Sequence, residues 1–178
     1  MISDRKIFLK AVVIGDGGVG KTSLIVRHVD KKFDAEYKPT LGFDISLKTI
    51  PVEEGKAELL LWDIGGQAIF KEIRESYLEG SHCCFIVFDL TNKETFDHLQ
   101  DWLTELKRFA GDIPFIIIGN KNDLEEKRKI SKEEMEKKAK EIGAVDCFET
   151  SAKTGDGVDD AFKKLTNASV DYFTELNK

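Results

Sequence analysis

Apolar and polar positions along this chain fall into blocks that switch period. Residues 8–14 form a largely apolar run that reads as a buried strand, followed by a helical stretch from Lys21 to about Asp30. Phe43, Ile45, Leu47 and Thr49 recur at every second position, the pattern of a half-buried strand. Glu53-Glu54-Gly55-Lys56 reads as a turn and Leu59-Leu60-Leu61-Trp62 as the next strand, so the two make an antiparallel hairpin. Residues 84–90 and 115–118 are continuous apolar runs, as expected of central parallel strands covered on both faces. Helices are expected over 93–110 and 131–142, the second opened by a capping box of Ser131 and Glu134. A short strand at Cys147-Phe148 leads to a helix whose stripe of Val158, Ala161, Phe162, Leu165 and Phe173 is expected to face the core. The alternation predicts an α/β fold: a six-stranded, mostly parallel sheet with one antiparallel edge strand and helices on both faces.

Between the first strand and the first helix lies Gly15-Asp16-Gly17-Gly18-Val19-Gly20-Lys21-Thr22-Ser23, which fits the phosphate-binding pattern G-x-x-x-x-G-K-[ST]. The glycines let backbone N–H groups turn inward around a phosphate without side-chain clashes. The helix N-terminus adds further donors and a partial positive charge. Lys21 can reach the outer phosphates, and the Thr22 hydroxyl suits Mg²⁺. The loop therefore indicates a nucleoside triphosphate. Three more polar motifs each follow a strand: Asp63-Ile64-Gly65-Gly66-Gln67, Asn120-Lys121-Asn122-Asp123 and Thr150-Ser151-Ala152-Lys153. All fall on the rim where open α/β sheets bind ligands, beyond the carboxyl ends of the strands. The Asp123 carboxylate can accept from two adjacent guanine donors, the ring N–H and the exocyclic amine, which adenine lacks on that edge. Charge-assisted bonds of that kind contribute roughly 1.5–3 kcal/mol each.

Length and charge narrow the picture. A chain of 178 residues suits one domain spanning 1–178. A net charge of -6 argues against non-specific nucleic-acid binding, which needs basic surface. Three cysteines, two of them adjacent in an apolar run, read as reduced, packed thiols of a cytoplasmic chain. His28, His82 and His98 share no ligand spacing. No signal peptide or stretch of membrane-spanning length is seen. Position 2 lacks the glycine for myristoylation, and the C-terminus lacks a prenylatable cysteine. Either the chain is not lipid-anchored or its tail lies beyond Lys178; membrane-peripheral placement needs such a tail or a partner.

Taken together, these motifs resemble the small GTPases of the Ras superfamily, most closely the Rab and Ras branches, over about residues 6–173. The resemblance implies a P-loop NTPase fold and a guanine-nucleotide switch that binds GTP or GDP with Mg²⁺ and hydrolyses GTP. It places Thr22 and Thr40 on Mg²⁺, with Asp63 holding the ion through water. It gives Gly66 an N–H that meets the γ-phosphate and Gln67 the task of orienting the attacking water. Lys21, Thr40, Gly66 and Gln67 are thus the catalytic set, with Gly17 packed against the glutamine. Phe33 and Tyr37 join the nucleotide contacts. Lys121 lays its stem over the base, Asn120 ties the loops together, and Ser151-Ala152-Lys153 supports guanine O6 through a backbone N–H. Loss of the γ-phosphate frees the loops carrying Thr40 and Gly66. Phe43, Trp62 and Tyr77 match a triad shown to effectors, and an exchange factor and a GTPase-activating protein are implied partners of a monomer.

The chain also departs from the pattern. Gly65 stands where alanine is usual, a feature of the Arf branch, and Ala68 replaces the usual glutamate. The turn at 53–56 is expected to be longer than in typical Rab proteins. Arginines occur only at 5, 27, 74, 108 and 128, so no internal arginine finger precedes Thr40. Intrinsic hydrolysis on the order of 10⁻⁴ to 10⁻³ per second is expected, rising when an activating protein supplies an arginine. Two alternatives are a GTP-binding module that hardly hydrolyses, which Gln67 argues against, and a nucleoside-monophosphate kinase, which needs a lid and an arginine-rich acceptor site.

Overall fold

In a computed structural model describing residues 5–36, 38–53 and 55–178, the apolar runs become strands of one sheet. The strands are β1 (Lys6–Ile14), β2 (Phe43–Val52), β3 (Gly55–Ile64), β4 (Cys83–Asp89), β5 (Phe115–Asn120) and β6 (Cys147–Thr150). Their order is β2-β3-β1-β4-β5-β6. Every pairing is parallel except β2 with β3, so β2 is the antiparallel edge strand the sequence predicts.

Two hydrophobic clusters cover the two faces. Leu9, Val13 and Phe85 pack with Leu24 of α1 (Lys21–Asp30) and Phe162 of α6 (Val158–Leu176). Val12, Ile14 and Ile86 pack with Leu78 of α2 (Lys71–Leu78), Leu103 of α4 (Leu99–Ala110) and Met135 of α5 (Lys132–Ile142). Cys83 and Cys84 enter opposite clusters, as side chains alternating on a strand must. Burial pushes the Cys83 thiol up to about 12 and that of Cys84 well above its usual value, so both are neutral packing groups.

Several elements differ from the sequence expectation. The helix expected over 93–110 is two: α3 (Lys93–Asp97) and α4, joined at His98. The strands run further into the segment read as a turn at 53–56, Val52 pairing with Gly55; Glu54 lies outside the described residues. The apolar row of β2 lies on the uncovered face of this edge strand. Phe43, Ile45 and Leu47 are 39%, 42% and 56% exposed, while Ile50 is buried against the α1 and α6 side. Period-two patterning identifies a strand but not which of its faces is covered. The capping box of α5 forms as read: Glu134 N–H donates to Ser131 Oγ at 3.1 Å and Ser131 N–H to Glu134 Oε2 at 2.9 Å.

His28 is the polar anomaly of the core. Its ring stacks on Phe162 at 4.1 Å, and Nδ1 donates to Asp159 Oδ1 at 2.8 Å, the carboxylate being able only to accept. Nε2 is buried without a partner among the described residues. Burial lowers the imidazole's pKa, Asp159 opposes the shift, and Lys31 and Lys48 add to it. The folded chain therefore binds fewer protons here than the unfolded chain. Stability from this site is complete above the unfolded value of about 6.5 and is lost as pH falls through it. In urea titrations between pH 7.5 and 5, the wild type should lose up to about 1.4 kcal/mol per pH unit relative to His28→Phe. The effects of His82 and His98 cancel in that comparison, and a pH-independent difference between the two proteins would refute the assignment.

Candidate functional site

The motif loops meet at the carboxyl ends of β1, β3, β5 and β6 around a cavity of about 680 Å³. Gly17, Gly18, Gly20, Lys21, Thr22 and Ser23 form one wall. Thr40, Gly65, Gly66 and Gln67 close one end, and Asn120, Lys121, Asp123, Ala152 and Lys153 the other. Phe33 lines the cavity and is 38% exposed, so it is not a core residue. Tyr37 lies outside the described residues. Gly15, Val19 and Ser151 stand behind the wall rather than in it: a Cβ on Gly15 would lie 2.2 Å from Val87 O, while Val19 and Ser151 are fully buried.

Asp16 belongs to the phosphate loop, but its side chain does not line the cavity. Its carboxylate turns away from the cavity, accepting from His98 Nδ1 at 2.6 Å and Trp102 Nε1 at 2.7 Å. Only its backbone serves the loop. The contact raises the pKa of His98, chiefly through the hydrogen bond to Asp16.

Lys21 is buried, and its Nζ donates to Gly15 O and Asp16 O, both at 2.8 Å. The ammonium thus closes a ring with the loop's own carbonyls. Burial lowers its pKa to about 8, with Asp63 and Asp16 pulling back. Gly20 adopts φ +97°, and a Cβ there would meet Asn120 Nδ2 at 2.3 Å. Only glycine permits both that conformation and that approach.

Beside Lys21, three oxygen-bearing side chains converge. Thr22 Oγ1 and Thr40 Oγ1 are 2.7 Å apart, Thr40 donates to Asp63 Oδ2 at 3.3 Å, and the Thr22 hydroxyl donates to the same carboxylate. Asp63 Oδ1 is buried with no partner among the described residues. Burial raises the Asp63 carboxyl's pKa, opposed by Thr22 and Lys21. A hard, all-oxygen donor set with an orphaned carboxylate oxygen fits Mg²⁺.

At the other end, Asn120 is buried; its Nδ2 donates to Val19 O at 3.0 Å and its Oδ1 accepts from Thr150 Oγ1 at 3.0 Å. It thereby ties the phosphate loop to the end of β6. Lys121 occupies the left-handed region at φ +70°, a conformation costly for a side-chain-bearing residue. Its Nζ is anchored on Gly18 O at 2.9 Å and Asp89 Oδ2 at 2.8 Å. Ser151 Oγ donates to Asp123 Oδ1 at 2.8 Å and so fixes the carboxylate's orientation.

The segment after β3 lies against the phosphate loop. Gly65 N–H donates to Gly42 O at 2.8 Å. A Cβ on Gly65 would fall 2.8 Å from Thr40 O and 2.9 Å from the Phe70 ring, so the usual alanine does not fit this packing. Arg74, which sequence reasoning did not single out, is buried beneath the segment. It donates to Gln67 O at 2.8 Å and Gly65 O at 3.3 Å, pairs with Glu105 at 3.3 Å, and lies 4.7 Å over the Trp102 ring. No arginine lines the cavity among the described residues. Phe43, Trp62 and Tyr77 do form one cluster, with centroids 4.2 to 5.5 Å apart.

Residues 10–171 match the family model described as "Ras family". The chain is 39% identical to a Ypt/Rab-type GTPase ypt7 of Pyricularia oryzae, covering 93% of this chain and 83% of that protein. It is 37% identical to YPT7 of Saccharomyces cerevisiae, covering 96% and 85%. Against the Ras-related protein Rab-13 of Bos taurus it is 40% identical, covering 88% and 77%. Proteins of this family bind GTP and GDP with Mg²⁺, hydrolyse GTP, and work with effectors, exchange factors and activating proteins. The chain belongs to the Ras family, on its Rab branch, and is a GTP-hydrolysing molecular switch.

Proposed function

We propose that residues 1–178 act as one G domain whose cavity divides its labour end to end. The convergence of Thr22, Thr40 and Asp63 beside the buried Lys21 carries the reading. Thr22 and Thr40 would hold Mg²⁺ directly and Asp63 would hold it through water. The ion, when bound, neutralises charge on the β- and γ-phosphate oxygens. Lys21 contacts the same phosphates, and the N–H groups of residues 17–22 surround them. The Gly66 N–H meets the γ-phosphate. Gln67, fixed at its carbonyl by Arg74, orients a water to attack the γ-phosphorus as the bond to the bridging oxygen breaks.

Asp123 selects guanine through its two donors, while Lys121 and Phe33 flank the base. With no arginine in the cavity wall among the described residues, intrinsic turnover is slow, on the order of 10⁻⁴ to 10⁻³ per second, and an activating protein supplies the missing charge. Phe43, Trp62 and Tyr77, beside both moving segments, form the effector surface of a monomeric, Rab-type trafficking switch. A partly exposed aromatic cluster of that kind suits a binding hot spot. Attachment to a membrane would come through a tail or a partner; no helix among the described residues is long and apolar enough to cross one.

The test is Gln67→Leu. Single-turnover phosphate release should fall at least about ten-fold without an activating protein, at unchanged GTP affinity. An unchanged rate would favour a binding module over a hydrolytic switch.

A further inference from the structure

Arg27 lies on the last turn of α1, outside every motif, yet its guanidinium reaches the loop that follows β6. Nε donates to Ala152 O at 2.7 Å and a terminal nitrogen to Lys153 O at 2.6 Å. Its stem abuts Gly155, where a Cβ would lie 3.6 Å from Cδ. No carboxylate pairs with it among the described residues. A permanent charge is thus committed to two successive neutral carbonyls, a fork geometry that fixes both peptide planes.

The consequence follows from peptide geometry. In a trans peptide the N–H points opposite to the C=O. The plane whose carbonyl is drawn to Arg27 at Ala152 carries the Lys153 N–H, which is therefore turned to the far side. That side is the cavity, since Ala152 and Lys153 both line it. Around them the loop's donors are committed: Ser151 N–H to Asp156 O, Gly155 N–H to Ser151 O, and Thr154 N–H to Ser151 Oγ. The N–H groups of Ala152 and Lys153 donate to no protein acceptor among the described residues. The free Lys153 N–H faces the base end of the cavity, and Arg27 holds its peptide plane from behind.

We infer that Arg27 is a positioning residue for base specificity: it aims the backbone donor of Lys153 at the 6-oxo group of guanine. This rests on the guanine reading of the cavity given above. It differs from a packing role because its effect depends on the atom at position 6 of the base.

The experiment compares GDP with 6-thio-GDP, which keeps both donors facing Asp123 but replaces the oxygen with sulfur, a weak acceptor. Arg27→Met should weaken GDP binding and speed its dissociation by about ten-fold. It should change 6-thio-GDP binding by less than about two-fold, because little remains to be lost there. Arg27→Lys, which keeps the charge and stem but not the fork, should fall between. Unchanged GDP affinity in Arg27→Met, or an equal loss for GDP and 6-thio-GDP, would overturn the role. A wild-type chain that bound GDP and ADP alike would overturn the guanine reading itself, and this role with it.

Discussion

Gly66→Ala is expected to keep its grip on GTP yet lose hydrolysis by about a hundred-fold, together with capture of GTP-state partners. A Cβ on Gly66 would lie 2.1 Å from Gly15 O and 2.8 Å from Gly17 N. Both are backbone atoms of the phosphate loop, and Gly15 is itself locked against Val87. The loop cannot yield, so the segment carrying Gly66 and Gln67 must. A displacement of roughly 1 Å is enough to misplace an attacking water by two orders of magnitude in rate. Binding is spared because Lys21, Asn120 and Asp123 do not depend on that segment's position. Nucleotide affinity by mant-GTP titration should stay within about three-fold, while single-turnover phosphate release collapses. If hydrolysis persisted near the wild-type rate, the closed packing of Gly66 on the loop would have no part in catalysis.

Parts of the site can be read from the sequence, and others only from the packing that Gly66 exemplifies. Residues Gly15 to Thr22 declare themselves because the chemistry of wrapping a phosphate demands those types at that spacing. Asp63, Asn120, Asp123 and the 150–153 segment are legible because each ends a strand, and the topology of a parallel sheet brings strand ends together. The supporting contacts are not legible in this way. Arg27 and Arg74 sit in amphipathic helices, where an arginine reads as a solvated face. Only the fold shows that each commits its guanidinium to backbone carbonyls of a loop at the site. The Asp16 carboxylate is a third such contact. The residue lies inside a perfect motif, but the motif constrains its backbone alone and leaves its carboxylate to Trp102 and His98.

The edge strand carries the same lesson about faces. Phe43, Ile45 and Leu47 alternate as one face of a strand, and the alternation alone does not say whether that face is inward or outward. The structure turns them outward beside Trp62, across the β2–β3 pairing of Ile45 with Trp62 and Leu47 with Leu60. An apolar row on an open edge strand is a liability unless a partner covers it. Its persistence here is what connects the fold to the proposed effector surface.

Asp123→Asn should shift the base preference rather than merely weaken binding. In the wild type, Ser151 Oγ pins Asp123 Oδ1 at 2.8 Å, so the carboxylate is held in one orientation. Both of its oxygens accept, matching the paired donors of guanine. An asparagine in the same place presents one acceptor and one donor. Against guanine the amide N–H₂ meets the exocyclic amine, donor against donor, and a charge-assisted bond worth about 1.5–3 kcal/mol is lost. GDP affinity should therefore fall by about 10² to 10³-fold. Xanthine carries an oxygen where guanine carries that amine, and the amide nitrogen can donate to it. XDP, bound poorly by the wild type because two acceptors would face each other, should bind the variant more tightly than GDP. Competition of XDP and GDP against a fluorescent nucleotide measures the inversion directly. A variant that lost affinity for both equally would show that Asp123 shapes the loop instead of reading the base. Ser151→Ala distinguishes the two further: releasing the carboxylate should soften guanine selectivity while leaving phosphate contacts intact.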